Sequence, residues 1–204
     1  RWYMKNGMFN IQSKMGQDTA KKQSRLYSIT GYYTKKVVNW NLVATTSGAT
    51  IESYPWPIMR LSDLYLLYAE ALNEDNKSAQ ALTYINAIRE RAGLKSVESS
   101  WSTYSRIPDK YTTKTGLRDI IRQERLIEMA FEGSRFWDIR RWKTASKVLI
   151  GAIYGWDIVQ DNYEGYNNRV LLFNQKFIAP RDYFWPIKEY ELQINPNLVQ
   201  NVGW

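Results

Sequence analysis

The residues whose types could best support catalysis or metal binding lie between positions 124 and 142, where acids and arginines alternate with aromatic side chains. Glu124, Glu128 and Glu132 are spaced at i, i+4 and i+8, so they would share one face of a helix. Such carboxylates could ligate a divalent metal, or two of them could act as the carboxyl pair of a glycosidase. Helical carboxylate metal sites normally include His, which this chain lacks, and a glycosidase pair should face a cleft rather than a core. We therefore interpret the stretch as a scaffold in which arginines neutralise repelling carboxylates.

This interpretation predicts that the charged side chains are partly buried, paired, and responsible for how two helices dock. The expected members are Glu128, Glu132, Arg135, Asp138 and Arg141. Removal of one partner leaves the other charge uncompensated, so the sequence predicts that Arg135→Ala strongly lowers thermal stability.

Composition removes most other routes to catalysis. The 204 residues include no His and no Cys, which excludes a Ser-His-Asp triad, a thiol nucleophile, a zinc site of the Cys/His kind and any disulfide. We expect neither a cofactor nor a metal. Lys and Arg number 28 against 20 Asp and Glu, but they are scattered, so we interpret the net charge of +8 as solubilising and expect no nucleic-acid partner. The 15% of aromatic residues suits core packing, interfaces or stacking against sugars.

Helices must position these side chains. Apolar residues at three- and four-residue spacing predict where those helices lie. The first two form a hairpin over residues 58–92, with Gly93 directly after the second helix. Ala69, Leu72, Ala81 and Ile85 have the spacing of a tetratricopeptide unit, in which small residues let helix backbones approach closely.

Two further helices are predicted beyond the hairpin. The first covers residues 115–132, with Thr115 as its cap and an apolar stripe that continues to Phe131, and the second covers residues 134–149. The polar and aromatic residues 96–115 are predicted as a loop.

One domain is predicted over residues 1–204, with its helical core at residues 57–149. Residues 1–56 predict loops and short strands, including a strand at 32–40, and residues 150–204 predict loops and a C-terminal motif. The fold class is mainly α: a tetratricopeptide-like hairpin plus further helices, with long aromatic-rich loops and a few short strands.

Four blocks of sequence occur in an order that resembles one family. Met59-Arg60-Leu61 leads into residues 67–74, residues 85–94 and 121–142 follow, and Trp185-Pro186-Ile187 begins the last block. These blocks are similar to motifs of the SusD/RagB family of outer-membrane nutrient-binding lipoproteins, which implies a SusD-like fold of the α/α superhelix type. The matching residues, which we interpret as structural, are Arg60, Glu70, Arg89, Glu124, Arg125, Glu128, Glu132, Gly133, Arg135, Asp138 and Arg141.

The resemblance implies a function as well as a fold. It implies a surface lipoprotein of the outer membrane of a Bacteroidota-type bacterium that binds a nutrient glycan, delivers it to a TonB-dependent SusC-like transporter, and is not an enzyme. It covers the C-terminal part of the family, so we expect the N-terminal half, with the lipid anchor as the only membrane contact, to be missing. The alternatives are a tetratricopeptide-type interaction module without a ligand of its own and a carboxylate-based glycosidase.

Sugar recognition requires exposed aromatic planes, because the C–H faces of a pyranose are apolar. Aromatic residues in loops are the best candidates, since loops carry binding roles more often than packed helices. The sequence therefore predicts ligand contacts at Phe9, Trp40 and Trp101.

Overall fold

The computed structural model of the chain describes residues 55–160 and 162–204, positions 28–32, 34, 36, 39 and 53, and the backbone of four short strands within the first fifty residues. Among these strands, β1 (Trp2–Tyr3) pairs antiparallel with β2 (Asn10–Ile11), and β3 (Val43–Thr45) pairs with β4 (Gly48–Thr50). Of the strand predicted at 32–40, the described positions lie outside any strand. None of the helices in the described part of the chain is long and apolar enough to cross a bilayer.

The chain forms two compact units, one of residues 56–136 and the other of residues 1–55 with 137–204. The first contains α1 (Leu61–Glu74), α2 (Ser78–Arg91), α3 (Val97–Tyr104), a 3₁₀ turn (Lys110–Thr112) and α4 (Lys114–Glu128). The unit boundary falls within α5 (Ser134–Arg141).

The second unit continues from α5 with short elements. They are α6 (Ala145–Val148), β5 (Gly151–Trp156), α7 (Tyr163–Tyr166), β6 (Arg169–Gln175), a 3₁₀ turn (Arg181–Tyr183) and α8 (Glu189–Ile194). The described part of the chain is mainly helical, which confirms the predicted fold class.

An apolar cluster holds the first unit together and confirms the predicted hairpin. Its buried members are Ala69, Leu72, Ala81, Ile85, Val97, Leu117, Ile120 and Ile121. Inside this cluster Asn73 is fully buried. Its Nδ2 donates to the Lys114 carbonyl oxygen at 2.9 Å, and its Oδ1 accepts from Ser78 Oγ at 3.0 Å. The amide therefore ties the hairpin turn to the start of α4 without leaving a buried polar atom unpaired.

The predicted loop at residues 96–115 is wrong, because α3 and the 3₁₀ turn lie within it. Ser96 caps α3 through its Oγ, which accepts from Ser99 N–H at 3.2 Å, and Val97 is fully buried. The cap on α4 is Thr113 rather than Thr115, with Oγ1 accepting from Gly116 N–H at 3.1 Å. Side-chain N-caps thus fix where helices begin in a stretch whose apolar residues show no strong helical periodicity.

Both later helices are shorter than predicted. The chain leaves α4 at Glu128, with Phe131 and Gly133 at φ of +64° and +81°, so the side chain of Phe131 is 74% exposed rather than part of the stripe. Lys143 has φ +52°, and Thr144 N–H donates to the Ile139 carbonyl oxygen at 2.9 Å. This Schellman-type ending without glycine separates α5 from α6.

Arg60, directly before α1, is the centre of the charged network. Its Nε and Nη2 donate to the two carboxylate oxygens of Glu132 at 2.8 and 2.7 Å, and its Nη1 donates to Glu128 Oε1 at 2.8 Å. All three side chains are about one fifth exposed or less. The hydrogen bond with Glu132 is the main reason that the pKa of Arg60 is raised above its usual range. The network therefore joins the start of α1 to the end of α4.

Two further arginines of this unit each pair with one acid. Arg125 is 5% exposed and donates from Nη1 to Asp63 Oδ1 at 2.6 Å. Arg89 pairs with Glu124 and also donates from Nε to the Lys95 carbonyl oxygen at 2.8 Å. Each carboxylate in the predicted row thus has a guanidinium beside it.

Arg135 is partly buried as expected, but the pairing expected for it is wrong. Its side chain is half-buried, but no ion pair links it to another described residue, since Arg60 already occupies the acids that it was expected to neutralise. Asp138 is buried as expected and pairs at 3.0 Å with Arg141 on the same helix, although Arg141 itself is exposed. Glu70 is half-buried on α1.

Replacement of Arg60 tests the network directly. Arg60→Ala leaves Glu128 and Glu132 without their shared cation, so we expect the free energy of unfolding to fall by about 3 kcal/mol. Arg135→Ala is the matched control, for which we expect a loss below about 1 kcal/mol. Urea unfolding of both variants measures the difference, and equal losses would show that Arg60 is not the main cation of the network.

Acid should weaken the same network. Burial alone would raise the pKa of Glu128, but hydrogen bonds from Arg60 and Ser62 and the charge of Arg91 outweigh it and lower that pKa. The contribution to stability is therefore present above the unfolded-state pKa of about 4.3 and is lost as pH falls through the folded-state value. We expect the wild-type chain to lose more free energy of unfolding between about pH 7 and pH 3 than Arg60→Ala does. Parallel losses in urea titrations would contradict this account.

Candidate functional site

The carboxylates of the helical unit are poorly suited to catalysis. Glu124, Glu128 and Glu132 are all engaged by arginines, and the lowered pKa of Glu128 is the opposite of what a general acid needs. Within the described part of the chain, no three acidic side chains form a group that could hold a metal ion. Glu124, Glu128 and Glu132 therefore have a structural role here, because they bind arginines that precede or belong to other helices.

Three aromatic residues were predicted to contact a ligand. Phe9 and Trp40 lie outside the described residues. Trp101 lies in α3 rather than in a loop, half-buried against the apolar cluster, with Lys110 Nζ 5.6 Å from the centroid of its ring. One face of this indole is thus used for packing, and its role in binding stays a prediction.

A different set of aromatic residues meets on the ribbon formed by β5 and β6. The strands pair antiparallel, with Trp156 opposite Arg169 and a register shift between Ile153 and Tyr154. Since side chains alternate along a strand, Tyr154 and Trp156 lie on the same face of β5. The guanidinium carbon of Arg169 lies 4.0 Å from the centroid of the Tyr154 ring.

The segment of residues 28–32 completes this aromatic face. Its Thr30 carbonyl oxygen accepts from Trp156 N–H at 3.1 Å, and its Gly31 carbonyl oxygen accepts from Tyr166 Oη at 3.0 Å. A two-stranded ribbon is only marginally stable alone, so these contacts support it as well as position the segment. They place the Tyr32 ring 5.9 Å from the Trp156 ring.

Close approach of this segment depends on two glycines. Gly31 has φ +76°, and a Cβ there would lie 2.8 Å from Tyr166 Oη and 3.1 Å from two atoms of Trp156. A Cβ on Gly155 would lie 2.8 Å from the Cα of Thr30. Any side chain at either position would push the segment off the ribbon.

The result is an open cleft of about 430 Å³. Its walls are Tyr32, Tyr154, Trp156 and Arg169, and its remaining lining comes from β5. Tyr166 stacks against Trp156 at 6.5 Å between ring centroids, which helps to hold the indole in place. Aromatic planes beside hydroxyl groups and a guanidinium form a surface suited to the apolar faces and hydroxyls of a sugar.

Sequence reasoning missed this cleft, because residues 150–176 show no helical period. A signal was nonetheless present. Residues 151–156 and 169–175 are short runs with apolar and aromatic residues, separated by Asn- and Gly-containing sequence, as in a pair of strands.

A second cavity, of about 450 Å³, lies beside the C-terminal motif, and the Trp204 side chain in its lining is engaged in internal contacts. Trp204 donates from Nε1 to the carbonyl oxygens of Arg181 and Phe184 at 3.2 and 3.1 Å. The guanidinium of Arg181 covers the Trp204 ring at 4.8 Å. We therefore take the cleft at Trp156 as the candidate site.

Comparison with known proteins gives consistent results. A family model described as the SusD family matches residues 2–204. SusD-like protein P2 of Formosa agariphila is 36% identical over 144 residues, which are 70% of this chain and 24% of P2. The selenomethionine structure of BT4246 matches with a TM-score of 0.72 at 30% identity, over 89% of this chain and 30% of that one. A SusD-like carbohydrate binding protein of Bacteroides fragilis matches with a TM-score of 0.54 at 35% identity, over 74% and 29% of the two chains. The chain thus spans about a quarter of the curated relative and under a third of each solved chain.

Glycine replacement tests how the cleft is assembled. Gly31→Ala adds both a disfavoured positive φ and a clash with Tyr166 and Trp156, whereas Gly151→Ala adds only the positive φ, since no atom lies near its Cβ. We expect both variants to lose about 1–2 kcal/mol from backbone strain, and Gly31→Ala to lose about 1–3 kcal/mol more from overpacking. Urea unfolding followed by tryptophan fluorescence measures both, and equal losses would show that residues 28–32 do not pack on the ribbon.

Proposed function

Since the chain belongs to the SusD family, we propose that it binds a nutrient glycan, either an oligosaccharide or a polysaccharide. The observation that supports this most directly is the cleft in which Tyr32, Tyr154 and Trp156 surround an open volume of about 430 Å³. Rings fixed by their neighbours bind a sugar face at low entropic cost, because little side-chain freedom is left to lose. The carbohydrate binding relative from Bacteroides fragilis supports the same ligand class.

We propose further that the whole protein is a surface-exposed lipoprotein of the outer membrane in a Gram-negative, Bacteroidota-type bacterium. There it would deliver the glycan to a TonB-dependent SusC-like transporter. Family membership supports both proposals.

A tetratricopeptide-type interaction module is the second candidate function, and one observation favours it. Leu61, Leu64, Leu67 and Tyr68 are exposed on α1, between 39% and 60% of their surface. An apolar face of this kind on a helical hairpin is typical of a protein-binding surface. The two functions predict different ligands: a glycan at Trp156 in one case and a protein at α1 in the other.

Alanine substitution in the cleft separates these functions. We expect Trp156→Ala to weaken glycan binding about tenfold or more, which is about 1.4 kcal/mol, because it removes the central stacking plane. Trp56→Ala, at a tryptophan 61% exposed in the helical unit, is the matched control and should bind as the parent does. Affinity electrophoresis through gels containing neutral or acidic polysaccharides measures binding, and circular dichroism verifies folding.

Variants at Trp40 and Trp101 belong in the same experiment, since both residues are predicted ligand contacts. Unchanged binding by folded Trp156→Ala, with loss in Trp40→Ala or Trp101→Ala, would move the site away from the cleft. Retention of a protein partner through α1 without retention by any glycan would favour the interaction module. Release of sugar fragments from a bound glycan would favour the glycosidase.

A further inference from the structure

We propose that the cleft selects an acidic sugar residue, one that carries a carboxylate or a sulfate, through the guanidinium of Arg169. This inference rests on the proposed glycan-binding function and specifies the class of ligand. It follows from the position of Arg169, the lack of an acidic partner for it among the described residues, and the charge of the chain.

The ribbon places Arg169 where a bound sugar would meet it. It lies opposite Trp156 in the strand ladder, and its guanidinium carbon is 4.0 Å from the centroid of the Tyr154 ring. A guanidinium beside an aromatic ring carries five N–H donors in a rigid fork, which matches the oxygens of a carboxylate or a sulfate. A sugar stacked on the Trp156 ring would therefore have the N–H groups of the Arg169 guanidinium beside it.

Among the residues that the structure describes, no acid neutralises this cation. None of the residues that line the cleft is acidic, and Arg169 forms no ion pair with any residue that the structure describes. The acid nearest along β5, Asp157, is directed into its own loop, where its oxygens accept from Val159 N–H at 3.3 Å and from Gln160 Nε2 at 3.1 Å. In the helical unit, by contrast, Arg60 and Arg125 each bind a carboxylate.

A cation without an acidic partner beside stacking aromatic rings has a chemical consequence. A neutral sugar would offer the guanidinium only hydroxyl oxygens, whereas a uronate or a sulfated sugar would offer an oppositely charged group that can accept two parallel N–H bonds. The net charge of +8 adds long-range attraction for an acidic polymer. Both effects favour acidic over neutral glycans.

The test uses affinity electrophoresis of the 204-residue chain in gels that contain one polysaccharide each. Polygalacturonate presents carboxylates only, carrageenan presents sulfates only, and starch and xyloglucan are neutral. Arg169→Gln removes the charge, Arg169→Lys keeps it without the planar fork, and Arg106→Gln removes an exposed arginine of the helical unit as the matched control. Trp156→Ala reports glycan binding in the cleft as such.

We expect retention by polygalacturonate or carrageenan that decreases as salt rises and that Arg169→Gln reduces by about tenfold. Arg169→Lys should fall between Arg169→Gln and the parent, and Arg106→Gln should match the parent. Which of the two acidic gels retains the chain identifies the anionic group. Retention by starch or xyloglucan that Trp156→Ala abolishes and Arg169→Gln leaves unchanged would overturn the acidic-sugar inference while supporting glycan binding. Retention by none of the four polysaccharides would count against both.

Discussion

Like charges on one helix face can be buried only if each has a cation, and the helical unit is arranged around that requirement. Glu124 and Glu128 project from α4, and Glu132 follows its end. Arg89 reaches the first from α2, and Arg60 reaches the other two from the start of α1. Because the cations come from different helices, the contacts that neutralise the acids also fix how those helices pack.

Local pattern was sufficient to predict the helical hairpin, since its burial repeats with the period of a helix. Ala69, Leu72, Ala81 and Ile85 are all buried as their spacing predicts. The partner of Glu132 was not predictable in this way. Arg60 lies 72 residues away, and no period in the sequence relates the two positions. Lys143 likewise ends a helix at a positive φ, which glycine usually adopts at such positions, so the residue type did not predict this helix end.

The candidate site was harder to predict than the helices for a related reason. Its walls come from the segment of residues 28–32 and from strands more than a hundred residues later, which meet only through tertiary contacts. The requirement of sugars for exposed aromatic planes is met in the cleft by Tyr154 and Trp156. The sequence, however, predicts such contacts at aromatic residues in loops. Strands of six and seven residues with a register shift give a weak alternating signal, and so their shared face was overlooked.

The attachment of residues 28–32 to the ribbon has a consequence for how such a site diversifies. Thr30 and Gly31 are held through their carbonyl oxygens, which every amino acid possesses, and the side chain of Tyr32 takes no part in either hydrogen bond. The side chain at position 32 therefore forms a wall of the cleft whose replacement leaves both of these backbone hydrogen bonds possible. Exchange of that one side chain would alter the shape and polarity of the cleft while the backbone contacts that support the cleft stay the same.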